Sequence, residues 1–172
     1  MSTSSHDPEL LDALEELATN PYEGTAWRHM FNDYPPSKVN ISGARWNPAG
    51  VGAIYLAVDR DTAEAEGQHA VDIQPARMFA RRVLYEVNID VDDVVDLTAV
   101  GALRSVGLSS RDIEADDFTN CQKVGAAAAW LGRGGLLVPS ARAAGSNLVV
   151  LVDSSAAATD VTIVSTQVLE TR

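Results

Sequence analysis

From Asp7 onward the apolar positions fall at helical spacing. Asp7-Pro8 supplies a capping side chain followed by proline at the first helical position, and Leu10, Leu11, Leu14 and Leu17 then share one face, the mark of an amphipathic helix. Asn20-Pro21 and Gly24 interrupt that period, so Thr19–Thr25 is predicted as an irregular connection. Trp27–Phe31 predicts a short strand. Asp33–Ser42, with Pro35-Pro36, and Arg45–Gly52, built on Asn47-Pro48 and Gly50, predict loops. Ala53–Ala57 predicts a strand, and Asp61 is a suitable cap for a helix over Thr62–Val71. Arg81–Ile89 and Val94–Asp96 predict strands, and 98–117 loops and short helical turns. Cys121–Leu131 is an Ala-rich helix closed by Gly132. Leu136–Pro139, Asn147–Asp153 and Asp160–Leu169 complete a β-rich C-terminal half. Residues 1–6 read as disordered.

Strands and helices do not alternate regularly, which argues for an α+β domain with mainly antiparallel sheet and against a doubly wound fold. The 172 residues, 18.3 kDa, suit one such domain. We divide the chain into a helical extension, 1–20, and a single domain, 21–172. There is no internal repeat, heptad run or low-complexity linker.

Charge narrows the function classes. Thirteen Lys and Arg face 24 Asp and Glu, for a net charge of −11. Binding to nucleic acid or an anionic membrane needs clustered positive charge, so neither is expected. An anionic ligand would have to be held by a few local arginines, and the basic residues are indeed 11 Arg against Lys38 and Lys123. One cysteine, Cys121, excludes a disulfide framework, and on its Ala-rich helix it reads as a packed thiol. His6, His29 and His69 lack metal-ligand spacing, so no metal is expected. The N-terminus is not a secretory signal and no apolar run is long enough to span a bilayer, which predicts a soluble, cytoplasmic protein.

Neither a phosphate-binding glycine motif nor a G-x-S-x-G elbow occurs. Three polar islands remain. The first is Trp27-Arg28-His29, whose arginine stands in a strand-like run; singly, it reads as an edge residue pairing with a surface carboxylate. The second is Gly43-Ala44-Arg45-Trp46-Asn47-Pro48, followed by Ile54-Tyr55 and by Glu66 on the next helix; singly, it is a turn with a packed Trp. The third is Val138-Pro139-Ser140, then Gly145-Ser146-Asn147 leading into a buried strand; singly, it is a β-turn.

In order and spacing these islands together resemble the RES-domain family, the toxin half of bacterial RES–Xre toxin–antitoxin pairs, named for a dispersed Arg, Glu and Ser. The matching positions are Arg28, Glu66 and Ser140. The family segment Gly-Gly-Arg-Trp-Asn-x-x-Gly, followed by a Tyr-bearing strand, is similar to Gly43–Gly50 with Ile54-Tyr55 here. The step of 11 residues from Tyr55 selects Glu66 over Glu64, and Asn147 matches the Asn after the Ser motif. The resemblance covers about residues 25–152. Ala44 replaces the second glycine, and His29 stands where some members place an aromatic residue.

The resemblance implies an ADP-ribosyltransferase-like fold, mainly antiparallel β-sheets packed together with flanking helices, and NAD as substrate. It implies a toxin that cleaves the nicotinamide–ribose bond and depletes NAD by hydrolysis or phosphorolysis. The alternatives are mono-ADP-ribosylation of a host protein and a non-catalytic partner-binding module. On this footing Glu66 is the catalytic carboxylate, Arg28 clamps the pyrophosphate or a ribose, and Ser140 bonds the ribose or orients Glu66. Arg45 is a second anion-binding candidate, and Tyr55 is a candidate to stack on nicotinamide. Asn47 and Asn147 complete the NAD-binding set, Asn47 mainly by shaping its loop together with Trp46. The implied partners are an Xre-type antitoxin covering the NAD pocket and a second toxin copy in a homodimer.

Overall fold

Asp59, not Asp61, caps the helix that carries Glu66. Its carboxylate accepts from the Thr62 backbone N–H at 2.8 Å and from the Thr62 hydroxyl at 3.0 Å, so the helix starts earlier than its sequence suggests. The computed structural model describes residues 6–154, 156 and 160–170. In chain order the elements are α1 (Pro8–Glu16), β1 (Thr19–Phe31), β2 (Ala53–Ala57), α2 (Arg60–Ile73), a 3-10 turn (Pro75–Phe79), β3 (Arg82–Asp96), α3 (Ala102–Ser105), α4 (Ser110–Glu114), α5 (Thr119–Trp130), β4 (Gly135–Pro139), β5 (Ser146–Leu151) and β6 (Thr162–Leu169). Of the N-terminal segment read as disordered, residues 1–5 lie outside the described residues, while the His6 ring lies 5.8 Å from that of Trp130.

Two further expectations are corrected. Thr19–Thr25 is not a connection but the first half of a 13-residue strand. The register between β1 and β3 shifts between Asn20 and Tyr22, around Pro21, which has no N–H to give to the ladder; a bulge is where a strand tolerates it. Arg81–Ile89 and Val94–Asp96 are likewise one continuous strand, β3, of 15 residues.

The strands form one mixed sheet in the order β1-β2-β5-β4-β3-β6, and β1 also pairs with β3. Five strands therefore make a closed cycle of pairings. The long β1–β3 ladder runs antiparallel from Thr19↔Val95 to Phe31↔Arg82, whereas β1 and β2 meet only at Trp27↔Ala57. The β3–β4 pair is parallel, because the connection between them carries α3, α4 and α5 and is long enough for a crossover. β6 lies outside the cycle on the first half of β3, with all but its last residue exposed.

Both faces of β5 are buried. Leu148 and Val150 pack with Ala26, Ile54, Leu56, Val87, Ile89 and Val91, drawn from three other strands of the cycle. Val149 and Leu151 face the other way, into a larger cluster with Leu136, Val138, Val124 of α5 and Leu14 of α1. This explains why the strand reads as an unbroken apolar run. Leu14 is fully buried, so α1 is seated in the main core. Among the described residues no helix is long and apolar enough to cross a membrane.

Candidate active site

Glu66 lies in the middle of α2, and its carboxylate is fixed from the far end of the chain. The Ser140 hydroxyl, just beyond β4, donates to Oε1 at 2.7 Å, and Asn147 Nδ2, at the start of β5, donates to the same oxygen at 3.0 Å. Oε2 has no hydrogen-bond partner among the described residues, so it is the oxygen left for a ligand. Ser140 Oγ in turn accepts from the backbone N–H groups of Arg142 and Ala143 at 3.1 and 3.2 Å. One hydroxyl thus ties the 140–143 turn to the carboxylate.

Glu66 lines a cavity of about 590 Å³ together with Arg28, Arg45, Tyr55, Arg142 and Asn147, a volume typical of small-molecule sites. Arg28 projects from β1, and its Nη1 donates to the carbonyls of Pro36 and Lys38 at 2.6 and 2.7 Å. No carboxylate pairs with it among the described residues. The surface ion pair that the strand context suggests is absent. Burial pushes its pKa down to about 10, so it is a cation at neutral pH, held by carbonyl dipoles in a desolvated place. Such a group favours any anion that enters.

The loop carrying Arg45, Trp46 and Asn47 is anchored from beneath. The Tyr55 hydroxyl donates to Asn47 Oδ1 at 2.6 Å and accepts from the Trp46 N–H at 2.9 Å. Asn47 Nδ2 donates to the carbonyls of Val51 and Asn40. With its amide engaged on both sides and fully buried, Asn47 does not line the cavity; it shapes the loop. Trp46 is buried in the main core. Its carbonyl touches α5 so closely that a Cβ on Gly125 would lie 1.6 Å from the oxygen, so α5 can hold the loop only with glycine there. Burial raises the Tyr55 pKa, with the loop's hydrogen bonds opposing it, and its hydroxyl stays protonated as a donor.

Arg45 Nη1 donates to the carbonyls of Ala115 and Asp112 at 2.7 and 3.2 Å, and its guanidinium lies 4.5 Å over the Phe118 ring. Burial lowers its pKa; Cys121, Glu66 and Asp116 act against that, and Arg142 adds to it. Cys121 is fully buried and burial pushes its thiol up to about 11, which makes it a poor nucleophile.

Several lining residues escape the sequence reading. Arg142 is the one charged residue between Ser140 and Gly145, a signal available in the sequence. At the Arg28 end lie Tyr34, with the Lys38 ammonium 3.4 Å over its ring, and Phe31, with Arg77 4.9 Å over its ring. His29 packs its ring on α2 at Gly67, where a Cβ would lie 2.3 Å from the imidazole. Its Nε2 receives the Arg82 Nε–H at 3.0 Å. That nitrogen must therefore be unprotonated, and burial with the Arg82 charge pushes the His29 pKa down to about 4. Among the described residues no group of three His, Cys, Asp or Glu is placed to hold a metal.

Comparison with known proteins agrees in sequence and in structure. The model of the RES domain matches residues 13–170. NAD(+) phosphorylase MbcT of Mycobacterium bovis and that of Mycobacterium tuberculosis are each 42% identical over 110 residues, 60% of this chain and 58% of theirs. The match thus spans little more than half the length of these curated relatives. Among solved structures, the M. tuberculosis MbcT–MbcA toxin–antitoxin complex contains a chain that superposes with a TM-score of 0.81 at 30% identity, over 95% of this chain and 93% of that one. The chain belongs to the RES domain family.

Proposed function

We propose that this protein is a toxin enzyme that cleaves the nicotinamide–ribose bond of NAD and transfers the ADP-ribosyl group to inorganic phosphate, with water as the alternative acceptor. The observation that carries the reading is Glu66: a carboxylate with one oxygen gripped by Ser140 and Asn147 and the other, among the described residues, free, in a cavity that also holds Arg28, a cation with no ion-pair partner among those residues. The name of the MbcT relatives, NAD(+) phosphorylase, supports phosphate as the acceptor.

In this reading Arg28 binds the pyrophosphate, offering a desolvated guanidinium to an anion that the −11 net charge of the whole chain repels. Glu66 lies by the ribose, where positive charge develops as the glycosidic bond stretches. An interaction that strengthens only then raises turnover. Nicotinamide leaves as a neutral base from a cationic ring, so no general acid is required and one carboxylate suffices. Ser140 and Asn147 orient Glu66, Arg45 is a second anion contact, and Tyr55 supports the pocket wall. The pairing of a mixed sheet, closed through β1 and β3, with flanking helices is read as ADP-ribosyltransferase-like. We take residues 21–172 as the catalytic body and 1–20 as an extension, of which helix α1 seats Leu14 in the main core.

The MbcT–MbcA complex supports an antitoxin partner for this chain. We take that partner to be of Xre type and to cover the NAD pocket, with toxin copies paired in the complex and the whole acting in the cytoplasm. The test is to incubate purified protein with NAD, with and without phosphate, and to resolve the products by chromatography. Nicotinamide together with an ADP-ribosyl phosphate supports the reading. Intact NAD under both conditions overturns it, and label from NAD appearing on a discrete protein in lysate would favour protein ADP-ribosylation instead.

A further inference from the structure

The turn that follows Ser140 carries a guanidinium that the fold leaves unused. The Arg142 side chain lines the cavity beside Glu66 and Arg45, yet among the described residues it makes no ion pair. Its backbone is not free: the Arg142 N–H donates to Ser140 Oγ, the same hydroxyl that donates to Glu66. The backbone that carries this cation is therefore tied to the carboxylate through a single oxygen atom. Arg45 reaches the same side of the cavity from its loop, with Nη1 tied to the carbonyls of Asp112 and Ala115 and the rest of its guanidinium over Phe118.

We propose that Arg142, with Arg45 beside it, forms the binding site for the acceptor phosphate, separate from the Arg28 site for the pyrophosphate of NAD. This rests on the phosphorolytic reading given above. The chemical requirement is specific. The acceptor must come within about 3–3.5 Å of the ribose carbon that loses nicotinamide, and Glu66 occupies the same neighbourhood. Water is neutral and needs no cation to approach a carboxylate. Phosphate carries like charge and is repelled by it, so it needs local positive charge to remain there. Arg142 and Arg45 are the cations on the Glu66 side of the cavity, and each feels the other: the Arg142 charge lowers the Arg45 pKa in addition to burial, while Cys121, Glu66 and Asp116 oppose the shift. An anion between the two guanidiniums relieves that repulsion.

The step balances without any further reagent. A phosphate oxygen forms the new bond to the anomeric carbon as the bond to nicotinamide breaks. The electron pair of the broken bond stays on the pyridine nitrogen and neutralises its charge. The products are nicotinamide and ADP-ribose phosphorylated at that carbon, with nothing oxidised or reduced.

The test compares wild type, Arg142→Gln and Arg142→Lys. For Arg142→Gln the KM for inorganic phosphate is expected to rise at least about tenfold, the loss typical of one charge-assisted contact, while the KM for NAD changes by less than about twofold. Arg142→Lys keeps the charge and recovers part of the loss. Titration of inorganic phosphate alone, followed by phosphorus NMR without NAD, reads the same site independently of turnover. Binding by wild type that weakens in Arg142→Gln supports the site. An unchanged phosphate constant in Arg142→Gln, or equal losses for phosphate and NAD, overturns it. Failure of wild type to cleave NAD would instead bring down the enzymatic reading, and the phosphate titration would still decide the site.

Discussion

Ser140 and Glu66 meet across 74 residues of chain, hydroxyl to carboxylate at 2.7 Å, and Asn147 donates to the same oxygen. Two donors on one carboxylate oxygen lock the side chain in a single rotamer and leave the other oxygen facing the cavity. Pre-positioned charge of this kind costs no reorganisation when the reaction proceeds.

Replacement of Glu66 by Gln keeps the shape and removes the charge. Nicotinamide release should fall at least about 100-fold, with a melting temperature close to that of wild type. Chromatography of NAD incubations and a thermal scan check both halves. Wild-type turnover in this variant would refute the carboxylate's role.

Arg28→Ala should weaken NAD binding by about ten- to a hundredfold, the loss expected for hydrogen bonds to a charged group, measured by calorimetric titration. Lysine should not restore it, because the Pro36 and Lys38 carbonyls hold one arm of a planar fork that an ammonium lacks. An unchanged binding constant with only turnover lost would contradict the assignment of Arg28 to the pyrophosphate.

His29 makes stability depend on pH. Its pKa is near 6.5 in the unfolded chain and is pushed to about 4 in the fold by burial and by Arg82. Between these values the unfolded chain binds the extra proton, so the contribution of His29 to stability falls as pH drops from about 6.5 to about 4, and is level below that. His29→Gln removes the titrating group. Its melting temperature should decline less steeply than that of wild type over this window, and parallel declines would dismiss the effect.

Gly67→Ala places a methyl group 2.3 Å from the His29 ring. Either the imidazole leaves Arg82 or α2 moves away from β1, and Glu66 is the preceding residue on that helix. A loss of about 1–3 kcal/mol in chemical denaturation is expected, as for other overpacked sites, together with reduced NAD cleavage. A variant as stable and active as wild type would show that the helix and strand are not held by this contact.

Much of this was legible in the sequence, for identifiable reasons. The α5 helix, β2 and β4 have apolar patterns that their surroundings do not override. The first half of β1 was hidden because Asn20-Pro21 and Gly24 are turn residues, and only the long partner strand β3 makes Thr19–Thr25 extended. Asp59 and Asp61 are two capping residues two positions apart, and local sequence does not choose between them. At the site, the family resemblance, with its step of 11 residues from Tyr55, pointed to Glu66 as the carboxylate. The state of Arg28 was not legible: a half-buried cation with no carboxylate partner among the described residues depends on the Pro36–Lys38 loop folding back upon it. Nor was the engagement of Asn47, whose two partners' carbonyls, at Asn40 and Val51, come together only when the loop closes.

The closed cycle of strands also governs when the proposed site is completed. Ser140, Arg142 and Asn147 are synthesised 112 residues or more after Arg28, and β5 must pair with both β2 and β4 before their side chains reach Glu66. At roughly 5–20 residues per second, the site stays incomplete for about 5–20 s after Arg28 is made. A translation product truncated before Ser140 carries no complete site.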